Sequence, residues 1–359
     1  MSTELSNFAA RLGHVSGSAA GDPFQQLTSE GHRFNELALE LFALQFKYNP
    51  AYRKICEARG LTPKDVRDWT QIPFVPTAAF KELELSSIPP EARTAVFHSS
   101  GTTEQKPSRH FHCVESLAVY EASLWKSFQS NVIHDQKFEL VVLTPPAKLI
   151  PHSSLVHMFE IVRQKLNAPE SVFVGKLDSD GAWGLDFDKL ASALSDAKHP
   201  QLVLGTAFSF VHLLDYLAEK NLRIELPSGS RVMETGGYKN RSRSMPKARL
   251  HFLITTFLGV PNENIICEYG MSELSSQAYA TQGSPFRFPS WARVQIISPE
   301  TGREVADGET GLIRILDLAN VFSVAAIQTE DLGIRRGSGF ELVGRAPLAE
   351  ARGCSLMTA

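Results

Sequence analysis

The sequence predicts an α/β fold built on a mainly parallel sheet and followed by a β-rich section. Three observations carry that expectation. From about Thr94, short apolar runs ("TAVFHSS", "FELVVLT", "SVFVG", "PQLVLGT", "SRVMETGG", "NIICEYG") alternate with segments of helical spacing ("VESLAVYEASLWKSF", "LVHMFEIVRQKL", "DFDKLASALSD", "FSFVHLLDYLAEK", "PKARLHFLITTFLG"), as βαβ units do. After about Pro285 the helical patterns fade, and turn signals such as "PETGRE" and "ADGETG" separate short strands. With 359 residues, 43% hydrophobic and 21% charged, the chain has the length and apolar content for one large domain or two.

In order, residues 1–90 form a helical segment packed on the main body. Within it "FQQLTSEGHRFNELALELFALQFKYN" has apolar residues at helical spacing, and the proline-punctuated "IPFVPTAAFKELELSSIPP" connects onward. Residues 91–285 form the α/β region expected to bind nucleotide and acyl group, residues 286–345 the β-rich section, and residues 346–359 a cysteine-bearing tail. A net charge of −3 gives no general attraction to nucleic acid or anionic lipid. No apolar run reaches the length of a membrane span, and "MSTELSNFAARLG" lacks a secretory core. The expectation is a soluble cytoplasmic protein without nucleic-acid or integral membrane contacts. Cys56, Cys113, Cys267 and Cys354 show no paired spacing, so neither a disulfide framework nor a zinc ribbon is expected.

In open α/β sheets, ligands collect beyond the carboxyl ends of the strands, and three polar loops follow predicted strands here. The first, "VFHSSGTTEQKPSRHFH", offers hydroxyls from Ser99, Ser100, Thr102 and Thr103, with Gly101 among them. Successive backbone N–H groups at a glycine can converge on an anion, and Lys106 and Arg109 add positive charge. Taken alone, a solvated polar turn explains the same residues equally well, and the Walker spacing is absent. The second loop, "CEYGMSEL", carries Tyr269, a ring able to stack on a base, and Glu273, a carboxylate suited to Mg²⁺ beside phosphates. The third, "TEDLGI…FELVGR", carries Asp331, which can accept from ribose hydroxyls, and Arg345, which can donate to the sugar or a phosphate. Each has an ordinary structural reading: an acidic turn, a hairpin with a salt bridge. His110, His112 and Cys113 lie close in "SRHFHC", but strand alternation explains the two histidines as well as metal does.

Together and in this order the loops resemble the adenylate-forming (acyl-AMP) ligase superfamily. Within it, "SSGTTEQKPSRH", "ETGGYK", "YGMSEL", "TEDLG" and "RGCSL" look most like the LuxE-type acyl-protein synthetases. The resemblance spans about Pro73 to Leu356 and implies an adenylate-forming-enzyme-like large domain. It further implies that Ser99, Ser100, Gly101, Thr102 and Thr103 with Lys106 embrace the phosphates of ATP. Tyr269 would lie against the adenine, Ser272 at the α-phosphate and Glu273 on Mg²⁺, with Gly270 among the cofactor-binding residues. Asp331 and Arg345 would bind the ribose, and Gly236 with Gly237 would form the wall where adenine and acyl carbonyl meet. Two positions depart from the superfamily pattern: Glu104 stands where a loop glycine is usual, and Gly236-Gly237-Tyr238-Lys239 replaces a Gly-Glu-Pro. Because fourteen residues follow Arg345, the superfamily's small C-terminal domain and its lysine are expected to be absent. Lys106, Arg109 or Lys239 would then neutralise the developing charge.

The resemblance implies ATP-dependent activation of a fatty acid, long-chain by analogy, and transfer of the acyl group to Cys354 as a thioester. The neighbouring Arg352 would raise the thiolate fraction, and Gly353 would permit movement of the tail. A LuxC-like acyl reductase would then accept the acyl group for aldehyde formation, with an acyl-transferase as an optional further partner. Two other readings stay open at this point. One is a ligase delivering acyl-AMP to coenzyme A; the other is a non-catalytic nucleotide-binding subunit of a reductase complex.

Overall fold

A computed structural model describes residues 2–13, 31–99, 106–134, 136–168, 170–177, 183–236 and 245–346. In chain order its strands are β1 (Val75–Pro76), β2 (Ala95–His98), β3 (Arg109–His112), β4 (Glu139–Val142), β5 (Val172–Phe173), β6 (Gly175–Leu177), β7 (Trp183–Leu185) and β8 (Gln201–Thr206). They continue as β9 (Arg231–Thr235), β10 (Ile265–Tyr269), β11 (Ala278–Ala280), β12 (Ala292–Ile297), β13 (Thr310–Asp317), β14 (Ala326–Arg336) and β15 (Gly339–Arg345).

The α/β reading of the sequence holds. A six-stranded sheet runs in the order β11-β10-β9-β8-β4-β5, parallel throughout except where β11 returns antiparallel along β10. Its strands are buried on both faces, which is why they read as continuous apolar runs rather than alternations. Val141, Val203, Val232 and Ile265 face the helices Ala207–Glu219 and Lys247–Leu258. Leu140, Val142, Leu202, Leu204, Met233 and Ile266 face the helices Val114–Phe128 and Ser154–Lys165. Helix starts follow the expected chemistry: Thr206 Oγ1 accepts from Ser209 N at 3.0 Å, and Asp186 Oδ1 accepts from Lys189 N at 3.1 Å. Each satisfies a backbone donor that the first helical turn leaves unpaired.

The β-rich section is a five-stranded sheet, β1-β14-β13-β12 with β15 added to β14. Its core is continuous with the N-terminal helices. Leu5, Phe8, Phe34, Phe42 and Tyr52 share one apolar cluster with Ile313, Ile315, Ile327 and Phe340. Polar stitches run the same way. Gln45 donates through Nε2 to Asn320 O at 2.8 Å and accepts at Oε1 from Ala325 N at 3.0 Å. Ser323 Oγ donates to Leu85 O at 2.8 Å. The described helices before β1 therefore buttress the β-rich section, and β1 enters it directly by pairing parallel with β14.

One segment departs from the expected βαβ pattern. "TAVFHSS" is not a strand of the parallel sheet; β2 pairs antiparallel with β3 in a separate two-stranded ribbon. The "RHFH" alternation that follows the loop supplies the partner, with His110 and His112 buried on one face. The loop expected to bind phosphate thus connects two paired strands, β2 and β3, rather than leaving a strand of the parallel sheet. Among the described residues no separate small domain follows the second sheet, and no helix is long and apolar enough to cross a membrane.

Candidate active site

The turn after β10 organises the site. Gly270 lies where a Cβ would come within 2.3 Å of Glu268 Oε1, so any side chain there would collide with a buried carboxyl group. Glu268 itself accepts from Thr235 Oγ1, and burial pushes its carboxyl up to about 7. Beyond the glycine, Ser272 Oγ donates to Glu273 Oε2 at 3.0 Å, and both residues are buried. Asn320 Nδ2 donates to the Glu273 carbonyl at 2.9 Å. Ser275 N and Ser276 Oγ donate to Asp317 at 2.9 and 2.7 Å. Trp291 Nε1 closes over Ser276 Oγ at 3.0 Å. Glu273 forms no ion pair among the described residues. A buried carboxyl group whose side chain meets a hydroxyl and no cation among the described residues is a donor that suits a hard divalent ion.

The β2–β3 hairpin leans on this turn. His110 Nδ1 lies 2.8 Å from the Ser272 carbonyl, and since a carbonyl only accepts, the ring donates from Nδ1. Burial pushes His110 down to about 4 and keeps the ring neutral, against the pull of its bonds to the Ser272 carbonyl and the Asn320 side chain. Ser108 Oγ lies 3.4 Å from Ser272 Oγ. At the base of the loop, Ser99 Oγ accepts from Ser108 N at 3.0 Å, so Ser99 closes the hairpin. Ser100, Gly101, Thr102 and Thr103 lie outside the described residues, as do Gly237 and Cys354. Lys106 Nζ stands 3.5 Å from Glu82 and Arg109 NH1 3.7 Å from Glu84. Their ion pairs run to the connector before β2 and not to Glu273.

The third loop meets the turn from the other sheet. Asp331 and Arg345 are direct partners across β14 and β15, with Arg345 Nε 3.7 Å from Asp331 Oδ1. Tyr269 OH donates to Asp331 Oδ2 at 2.8 Å. Burial holds the Asp331 carboxyl above its ordinary value, even though the Tyr269 bond and the Arg345 charge pull it down. The Tyr269 ring is 6% exposed and meets Phe340 edge-on at 5.2 Å and Phe288 at 6.3 Å. Gly236 follows β9 at φ +73°, and no atom of the described residues stands where its side chain would be. That conformation suits glycine where a backbone lines a ligand.

All three sequence-predicted loops therefore touch through named bonds: Ser108 and His110 to Ser272, Tyr269 to Asp331, Asp331 to Arg345. The sequence reading missed the residues that hold them, namely His110, Asp317 and Asn320. Alternation in "RHFH" placed His110 and His112 on one face, but nothing local pointed to Ser272 as a partner. Asp317 and Asn320 lie more than forty positions after the turn they bind, and no short motif contains them.

The profile of the family described as "Acyl-protein synthetase, LuxE" matches residues 19–359. The chain belongs to the LuxE acyl-protein synthetase family. Among curated LuxE-like relatives, the long-chain-fatty-acid–luciferin-component ligase of Aliivibrio fischeri is 27% identical over 90% of this chain and 87% of its own. That of Vibrio harveyi is 23% identical over 88% and 84%. Among solved structures, a 2-hydroxyisobutyryl-CoA ligase in an open conformation superposes with a TM-score of 0.66 at 14% identity, over 92% of this chain and 79% of that one. A long-chain-fatty-acid–CoA ligase from Archaeoglobus fulgidus gives 0.51 at 18% identity, over 72% and 53%. The large adenylate-forming domain is thus the fold of this LuxE family member, and its membership supports an ATP-dependent adenylate-forming acyl-ligase activity.

Proposed function

We propose that the protein activates a fatty acid as acyl-AMP and takes the acyl group onto Cys354 as a thioester, for delivery to a partner acyl reductase. The observation that carries the first half is the direct bonding of the three loops around Ser272, Glu273 and Asp331 in a LuxE family chain. ATP fits the residues present: no atom of the described residues stands where a Gly236 side chain would be, and Asp331 keeps an oxygen beyond the one Tyr269 uses. Mg²⁺ fits Glu273, and bound there it would neutralise phosphate charge.

The first step requires a carboxylate oxygen to attack the α-phosphorus in line with departing pyrophosphate. The chain's part is to position and neutralise. His110 fixes the Ser272 carbonyl, so the serine and Glu273 are aimed without cost at the moment of reaction. Lys106 and Arg109 would leave Glu82 and Glu84 to meet the phosphates. In the second step the Cys354 thiolate attacks the acyl carbon, AMP leaves, and a thioester replaces the mixed anhydride. Transfer to a reductase cysteine conserves the thioester and frees Cys354. The relatives' names support a long-chain acid as substrate, and a LuxC-like reductase is the acceptor proposed with it. The four-part division at residues 90, 285 and 345 is proposed with this function, the tail being the carrier.

Acid-dependent ATP–pyrophosphate exchange tests the first half. Glu273→Gln should lower it about a hundredfold in a folded protein, the scale of losing one electrostatic stabiliser. Near-normal exchange would remove Glu273 from the site. Cys354→Ala should retain exchange and lose hydroxylamine-labile acyl label on the protein. Label that persists at the normal rate would place the carrier elsewhere.

A further inference from the structure

Among the described residues, one cluster of side chains beneath the site is unused by this chemistry. Glu234 on β9 and Cys267 on β10 are register partners across parallel strands, so their side chains share one face of the sheet. The helix Lys247–Leu258 packs over that face and brings His251 to them. His251 Nε2 lies 3.4 Å from Glu234 Oε1 and 3.7 Å from Cys267 Sγ. All three residues are buried, and their ligand atoms lie within 4.8 Å of one another.

We propose that Glu234, His251 and Cys267 form a zinc site. Three features carry it. Thiolate, imidazole and carboxylate are the donors tetrahedral zinc takes, with bonds of about 2.0–2.3 Å, and such bonds set ligand atoms about 3.3–3.6 Å apart. The His251–Glu234 separation of 3.4 Å lies within that range and the His251–Cys267 separation of 3.7 Å just above it. The donors also arise from two adjacent strand ends and the helix above them, a rigid frame rather than a loop. Finally, the set leaves one coordination position for water, and its summed ligand charge balances a dication.

On binding, the Cys267 thiol gives up H⁺ to solvent as the S–Zn bond forms. His251 binds through Nε2 and carries its proton on Nδ1. Lys247 is the competitor. Its ammonium stands 3.2 Å from Glu234 Oε1 with about half its side chain exposed, and it lies 4.9 Å from the Phe286 ring. Metal entry would turn the lysine toward solvent. Glu234 precedes Gly236 by two residues, and Cys267 precedes Tyr269 by two. The ion would therefore pin the ends of β9 and β10 under the proposed nucleotide wall, a structural role distinct from the Mg²⁺ proposed at Glu273.

The full-length protein, stripped with a chelator, is titrated with Co²⁺ as a spectroscopic probe and then with Zn²⁺. One Co²⁺ per chain is expected, with the visible bands of a tetrahedral ion and a thiolate-to-cobalt charge-transfer band, both displaced by Zn²⁺. Cys267→Ser should abolish the charge-transfer band, whereas Cys354→Ala should keep it. His251→Gln should weaken binding at least about a hundredfold, beyond what loss of an outer-shell partner costs. Lys247→Ala should tighten it about tenfold by removing a nearby cation. Zn²⁺ should raise the melting temperature of the wild type and of Lys247→Ala, not of His251→Gln. Absence of stoichiometric Co²⁺ binding by the wild type, or a charge-transfer band surviving Cys267→Ser, overturns the site. Should Cys267→Ser not fold, unchanged Co²⁺ affinity in His251→Gln overturns it equally.

Discussion

The two ends of the turn from Tyr269 to Ser276 are each held by an aspartate from the second sheet, and the two aspartates are spent differently. Asp317 at the far end is fully buried and accepts from Ser275 N, Ser276 Oγ and Ala319 N. Asp331 at the near end accepts from Tyr269 OH and faces Arg345, whose side chain is 82% exposed. The first carboxylate has its oxygens saturated by the protein. The second keeps acceptor capacity toward an open side. A turn anchored rigidly at one end and by an unfinished pair at the other can hold Ser272 and Glu273 still while leaving Asp331 for a ligand.

The largest expected effect comes from breaking the saturated end. Asp317→Ala strands three buried donors, each costing about 1–3 kcal/mol, so a loss of about 3–5 kcal/mol is expected in denaturant unfolding. A loss under about 1 kcal/mol would show that the turn does not depend on this anchor. Asp317→Asn sharpens the same point through pH. Burial outweighs the three donors and raises Asp317 to about 6 from its ordinary 3.8. A carboxyl raised on folding favours the fold fully below about pH 4, and that contribution fades as pH rises through 6. The variant lacks it. The stability gap between wild type and Asp317→Asn should therefore narrow by up to about 3 kcal/mol from pH 4 to pH 7. A gap that widens over that range contradicts the raised value.

The contrast also marks what the sequence makes legible. Asp331 and Arg345 stand in "TEDLG" and "VGR", where turn chemistry and spacing announce them, and the central strands announce themselves as apolar runs. Asp317 ends β13 within "RILDLAN", and nothing in that stretch tells that its oxygens meet residues forty positions earlier. Anchors of this kind depend on which strands become neighbours, and pairing between distant strands is not written in a local pattern. The same holds for β2, whose partner lies across the loop while the βαβ rhythm pointed to the parallel sheet. It holds again for His251, which reads as an ordinary helix residue until Glu234 and Cys267 face it.

A middle-sized effect is expected at the unfinished end. Asp331→Asn keeps an acceptor for Tyr269 OH, so the turn should persist and the melting temperature should move little. A ribose, however, loses a charged acceptor, and hydrogen bonds to charged groups contribute about 1.5–3 kcal/mol. The KM for ATP in pyrophosphate exchange should rise by about tenfold or more. A variant that unfolds earlier yet keeps its KM would assign Asp331 to the turn alone, and the two ends would then be alike.

The smallest effect is expected at Arg345. Its guanidinium is largely exposed and stands 3.7 Å from Asp331, beyond the range of a good hydrogen bond. Exposed pairs of this kind contribute about 0–1 kcal/mol and are screened by salt. Arg345→Ala should thus leave the melting temperature unchanged, because Tyr269 still holds Asp331 in place. If Arg345 meets the ribose as proposed, KM for ATP should rise no more than about fivefold at low salt. Added salt should shrink that difference, since it weakens the wild type's exposed charge contact and has none to weaken in the variant. A stability loss as large as that of Asp317→Ala would mean that the near end is saturated too, through a contact of Arg345 that matters to the fold and not to the nucleotide.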